Sequence, residues 1–185
     1  MQNLKTPITL LLLSISLSAC FVDKNAAAII EDQKPIDAII GGQSSFEWKQ
    51  NQDSFSKLPA MPEQQRQAAV AQLATSGVDS VLYFDYDTAK ISPAAISFIN
   101  KHAQFMRKYP AIRLRLEGHT DPRGTRDYNL ALGENRALVV KSAMEKSGKN
   151  IANKIQIISY GEEKSQSGTD ESNYNRDRRV QFIYK

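Results

Sequence analysis

Cysteine occurs once in this 185-residue sequence, at Cys20. One cysteine excludes an internal disulfide, and its place beside an N-terminal apolar run leaves no thiol for catalysis or zinc elsewhere. Histidine is nearly as scarce, His102 and His119 alone, and no paired-histidine helix motif is present. A hydrolytic metal would therefore need His119, Asp121 and the Asp85/Asp87 pair as its ligands, a weak set. No serine stands in a recognisable nucleophile context. Long hydrophobic runs are missing as well: residues 8–17 form an apolar stretch, too short for the roughly 20 residues a spanning helix needs. No internal repeat is visible. These absences argue against an enzyme, a metal site or a cofactor-dependent protein.

What the chain does have starts at its N-terminus. Lys5, the apolar run and then Leu17-Ser18-Ala19-Cys20 read as an export signal over residues 1–19. The residues around Cys20 resemble a bacterial lipobox, the alternative being an ordinary secretory signal with a chance cysteine. The resemblance implies that Cys20 is diacylated at sulfur, becomes the mature N-terminus and is acylated on its amine, with palmitate among the chains. Each buried CH₂ contributes roughly 0.8 kcal/mol, so several chains hold firmly. Phe21 in place of aspartate implies, on the same resemblance, the outer rather than the inner membrane. The full chain carries 24 basic and 20 acidic residues, and loses Lys5 with the signal. A mildly basic exported protein suits anionic polymers or surfaces rather than nucleic acid.

Residues 20–60 show no sustained periodicity and contain Pro35, Gly41-Gly42 and Pro59, as a tether does. As a disordered chain, its roughly 40 residues would have a root-mean-square reach of about 35 Å. Two apolar segments, 36–40 and Phe46 with Trp48, either dock a partner or fold back on the domain. Residues 61–77 read as a linker helix, opening at Met61-Pro62-Glu63 and stopping near Gly77.

From residue 78 a compact domain is expected. Residues 81–84 are apolar on both faces, as in a buried strand. Ser92-Pro93 caps a helix whose Ile96, Ile99, Ala103 and Met106 recur at helical spacing, until Tyr109-Pro110. Ile112, Leu114 and Leu116 alternate with Arg113, Arg115 and Glu117 as a half-buried strand. Thr125 caps a second long helix, with Asp127 in its first turn and Gly148 at its end. Residues 155–160 form a third strand, 170–178 a short helix, and Val180, Phe182 and Tyr184 a closing strand. The order predicts an α+β fold, one small mixed sheet with both crossover helices on the same side.

The run Gly118 to Ala137 joins a strand end to a loop and a helix, with Asp121 and Arg136 fifteen positions apart across the junction. Such a pair can grip a small zwitterion, the carboxylate holding an ammonium and the guanidinium a carboxylate. Asn129 and Arg136 lie on one helical stripe, about 10.5 Å apart in axial rise. Gly133 sits between them, giving clearance either to a ligand or facing loop, or to close packing of helix on sheet. His102 is read as structural, and His119 as packing beneath the loop. Arg123 and Arg126 are read as general attraction for an anionic partner.

Tyr83-Phe84-Asp85-Tyr86-Asp87, the run Glu117 to Ala137, Ser159-Tyr160-Gly161 and Arg178-Arg179-Val180 together resemble the OmpA C-terminal domain family, and more closely its peptidoglycan-associated lipoproteins. The resemblance covers residues 78–185 and implies a βαβαββ domain that binds peptidoglycan non-covalently at the meso-diaminopimelate of the stem peptide. On that pattern Asp121 takes the ammonium and Arg136 the carboxylate. Asn129, Asp85, Asp87 and Thr88 complete the site, and Arg179, second of the closing arginine pair, adds carboxylate affinity. Asp177 stands where many relatives have asparagine, which alters the charge beside Arg179; the competing reading pairs Arg179 with Asp177 at the surface. The layout implies a lipid-anchored outer-membrane protein whose domain faces the periplasm, with peptidoglycan and periplasmic Tol proteins as partners. The alternative is an interaction component of an envelope secretion, conjugation or stress system, motivated by the two apolar segments.

Overall fold

The structure, a computed structural model, describes residues 55–148, 150–166 and 168–185. The signal, Cys20 and the tether to residue 54, with both its apolar segments, lie outside the described residues. The elements run α1 (Glu63–Thr75), β1 (Val81–Tyr83), α2 (Pro93–Lys108), β2 (Leu114–His119), α3 (Arg126–Ser147), β3 (Ile155–Gly161), α4 (Glu171–Asp177) and β4 (Arg179–Tyr184).

Local chemistry sets the helix ends. Ser92 accepts a hydrogen bond from the Ala95 N–H at 3.3 Å with Pro93 at the first helical position, so α2 starts where proline's missing donor costs nothing. Thr125 caps α3 in the same way through Tyr128 N–H. Asp170, two residues after a positive-φ glycine, caps α4 through Asn173 N–H at 2.9 Å.

The four strands lie in the order β1-β4-β2-β3. β4 pairs antiparallel with both β1 and β2, so β1 and β2 run in the same direction on either side of it, bridged by α2. β2 and β3 are parallel neighbours bridged by α3. Both helices touch each other and cover one face of the sheet, as expected for two right-handed crossovers. Ile99, Ala103, Met106, Leu114, Leu116, Val140, Met144 and Ile155 form the dry centre.

One strand differs from expectation. β1 is three residues long at the sheet edge, with Leu82 buried and Tyr83 55% exposed, so it is not buried on both faces. An edge strand has a neighbour on one side, and here only one of its faces meets helices. The apolar run turns inward only at Phe84, whose N–H donates to Arg178 O at 2.8 Å.

Two close contacts shape the functional end. A Cβ on Gly118 would lie 1.8 Å from Gly133 O, and one on Gly133 would lie 2.5 Å from Ser159 Oγ. The backbones of α3 and β2 therefore touch directly, and close packing of helix on sheet is what Gly133 serves. At the opposite end Phe55 is buried, its ring 5.1 Å from the Arg113 guanidinium and its carbonyl accepting from Arg113 Nη1 at 2.9 Å. Met61 N–H donates to Ala111 O at 3.2 Å. Residues 55–61 are thus already attached to the domain, at the start of β2.

Candidate binding site

Where β2 ends, Thr120 and Asp121 turn into the loop before α3 and open a pocket of about 320 Å³. Thr120, Asp121 and Arg123 line one wall, Asn129, Leu132 and Arg136 the helix side, and Tyr86 and Asp87 the facing loop.

Asp121 is buried and heavily engaged. Its Oδ1 accepts from Arg123 N at 3.2 Å and Nε at 3.1 Å, and its Oδ2 from Arg123 Nη2 at 2.7 Å and Arg178 Nη1 at 3.1 Å. Burial opposes its ionisation, yet the arginine hydrogen bonds outweigh that and hold the carboxyl below the usual carboxylate range.

Arg136 forms part of the floor. Its Nε donates to Thr88 O at 2.9 Å, Nη1 to His119 O at 2.8 Å and Nη2 to Asp85 O at 3.2 Å. Burial pushes its pKa down to about 10, with Asp121 and Asp87 opposing, so it stays cationic at neutral pH. These bonds use three of the five guanidinium donors. Nη1 and Nη2 each keep a second N–H that a carboxylate can engage.

Asn129 donates from Nδ2 to Arg123 O at 3.1 Å and to Glu162, tying the loop to α3. Asp87 holds a left-handed backbone (φ 52°) and accepts from Tyr128 OH at 2.5 Å. Asp tolerates that conformation better than most side chains, and such positions gather at functional sites. The Thr120 hydroxyl, buried in the pocket wall, has no hydrogen-bond partner among the described residues. A buried orphan of this kind is costly unless something else satisfies it.

The structure thus brings Asp121, Asn129, Asp87 and Arg136 together in one pocket. Asp85 and Thr88 stand behind it, contributing backbone carbonyls to Arg136 rather than N–H groups or side chains to the cavity. Arg179 is not in the pocket. It lies on the open face of the sheet, 3.8 Å from Asp177 Oδ1 and bonded to the carbonyls of Arg176 and Asp177. Asp177 is fully buried, its Oδ1 accepting from Gln166 N at 2.7 Å. The arginine that reaches the site is Arg178, which also donates to Phe84 O and Asn175. Strand parity carried this signal: residue 178 shares the inward parity of Val180, Phe182 and Tyr184, whereas 179 shares that of Gln181. Arg123 also belongs to the site rather than to a diffuse positive surface.

His119 is buried and stacks on Tyr160 with ring centroids 5.5 Å apart. Gln181 approaches its ring without full hydrogen-bond geometry, leaving both ring nitrogens unpartnered among the described residues. Burial, with Arg179 and Lys164 adding repulsion, pushes its pKa to about 3.

With this fold and pocket, residues 83–179 match the OmpA family, and the chain belongs to that family. It is similar to the peptidoglycan-associated lipoprotein of Legionella pneumophila, 37% identical over 103 residues, 55% of this chain and 58% of that protein. It is also similar to that of Pasteurella multocida (strain Pm70), 38% identical over 106 residues, 57% of this chain and 70% of that protein. Thus the match spans less than two thirds of the Legionella relative. Among solved structures, the peptidoglycan-associated lipoprotein from Burkholderia pseudomallei superposes with a TM-score of 0.55 at 31% identity, over 58% of this chain and 91% of that one. The C-terminal domain of Helicobacter pylori MotB shares the fold, with a TM-score of 0.53 at 21% identity over 58% and 84% of the two chains.

Proposed function

We propose that this protein is a lipoprotein that binds peptidoglycan without chemistry, through the free end of meso-diaminopimelate in the stem peptide. The observation that carries the reading is the pocket itself: a buried carboxylate and a buried guanidinium in one cavity, with an unsatisfied Thr120 hydroxyl between strand and loop. The free end of diaminopimelate presents an ammonium and a carboxylate on one carbon, opposite in sign to Asp121 and Arg136. The names of the relatives point the same way. Lipidation at Cys20 would tether the outer membrane, in which the acyl chains sit, to the wall that the domain holds.

The ligand's charge sets a selectivity. Cross-linking acylates the amine and removes the cation, and lysine-type wall lacks the carboxylate, so uncross-linked diaminopimelate stems are the preferred target. Truncating one partner of a buried charge contact typically costs 2–5 kcal/mol of affinity. Sacculus pull-down of the wild-type chain beside Asp121→Asn and Arg136→Lys, with folding verified by circular dichroism, tests this. Folded variants that sediment as the parent does, or equal retention on lysine-type wall, would remove the reading.

A further inference from the structure

Arg123 occupies an unusual place for a side chain only 35% exposed. Its guanidinium lies 4.1 Å from the Tyr86 ring centroid and 4.4 Å from that of Tyr174. It is forked onto Asp121 through Nε and Nη2, and Nη1 reaches Glu171 at 3.5 Å. Two aromatic faces and two carboxylates around one positive charge make a seat for a cation, since ring quadrupoles and carboxylates both attract positive charge. In this structure the seat is filled from within.

The surrounding charges fit a single exchangeable cation. Asp87, Asp121 and Glu171 face Arg123, Arg136 and Arg178, three against three. Arg178 is 4% exposed and fixed by Phe84 O and Asn175, and Arg136 is locked by three carbonyls. Arg123 alone of the three is partly exposed, on the loop between β2 and α3, whereas Arg178 and Arg136 are buried. When it swings out, one negative charge is left over.

We infer that Arg123 is a resident cation in a seat of Tyr86, Tyr174, Asp121 and Glu171, and that a ligand ammonium enters by displacing it. Binding is then an exchange of one cation for another. Arg123 sets the threshold: a ligand must offer a cation able to compete with a forked guanidinium, and a neutral, acylated amine cannot. The identity of the ligand rests on the wall-binding reading above; the seat itself does not.

The test uses the full chain and two probes. Methylammonium, followed by the ¹³C signal of the Asp121 carboxylate, reads the seat without any wall fragment. Arg123→Gln should respond at on the order of fivefold lower methylammonium than wild type, the equivalent of releasing one partly exposed ion pair. Arg123→Lys, which keeps the charge but loses the fork, should fall between. An unchanged or weaker response in both variants overturns the proposal. The second probe is the tripeptide L-Ala-γ-D-Glu-meso-diaminopimelate, which Arg123→Gln should bind more tightly than wild type; weaker binding would make Arg123 a ligand contact and overturn displacement. If methylammonium discriminates the variants but none binds the tripeptide, the seat stands and the wall reading falls.

Discussion

The two ends of the sheet bury polar groups for opposite purposes. Where β4 finishes, His102 donates and accepts within a closed set: Nδ1 meets Tyr184 OH at 2.6 Å and Nε2 meets Asp79 O at 2.9 Å. Its ring lies flat on Phe182, centroids 4.2 Å apart, with Phe98 tilted beside it. Both ring nitrogens of His102 are satisfied. Where β4 begins, Asp121, Arg136 and Arg178 are equally buried, but the set is open, with spare guanidinium donors and an orphan hydroxyl facing a cavity. A closed network adds definition to a core, while an open one is poised for a ligand. Burial by itself distinguishes neither; the count of unmet partners does.

The sharpest way to break this contrast is to move the helix that floors the pocket. Gly118→Ala should cost more than about 3 kcal/mol in urea denaturation or prevent folding, because its Cβ meets Gly133 backbone rather than a yielding side chain. A loss under about 1 kcal/mol would show that α3 can lift, and the pocket geometry would no longer be fixed.

Acid should act next, through one buried histidine at each end of the sheet, His102 in the closed set and His119 beside the pocket. Burial holds the His102 imidazole down to about 4 and His119 to about 3, against an ordinary 6.5. The unfolded chain therefore takes up protons first as pH falls. Stability is full above about pH 6.5 and declines towards pH 4, by roughly 3 kcal/mol for His102 alone. Asp121 acts later: its carboxyl is held below its ordinary value, so its contribution is lost only at still lower pH. Denaturant midpoints between pH 7 and 4 measure this, and His102→Gln should flatten the curve; an unflattened curve would place the effect elsewhere.

The neighbouring arginines separate the two regions most finely. Arg178→Gln should lower stability by about 2 kcal/mol, since it strips Asp121 of a buried partner. Arg179→Gln should change wall retention by less than twofold, because its side chain pairs with Asp177 and lines no part of the pocket. The reverse ranking in thermal melts and pull-downs would return Arg179 to the site.

Most of the framework is legible in the sequence. Ser92-Pro93, Thr125 and Tyr109-Pro110 are punctuation that acts locally, so the helix limits could be read from a few residues. The alternation through Leu114 and Leu116 gave β2, and the crossover rule gave the shared face of α2 and α3. The edge position of β1 was not legible, because an apolar run of four cannot say how many neighbours its strand will have. The site was visible as Asp121 and Arg136, whose spacing is local to one strand-loop-helix unit. Its inner partners were harder. Arg178 arrives from the far end of the chain, and only the parity of β4 separates it from Arg179. The carbonyls of Asp85 and Thr88 that hold Arg136 leave no mark in side-chain chemistry at all.

The attachment at Phe55 has a mechanical meaning. Phe55 and Met61 are fastened to Arg113 and Ala111 just before β2, and Asp121 lies two residues past its end. A pull between the two runs lengthwise down the interior strand of the sheet, flanked by β4 and β3. The extended backbone of that strand then carries the load, and its ladder hydrogen bonds, which run across the line of force, are not asked to open one at a time like a zip.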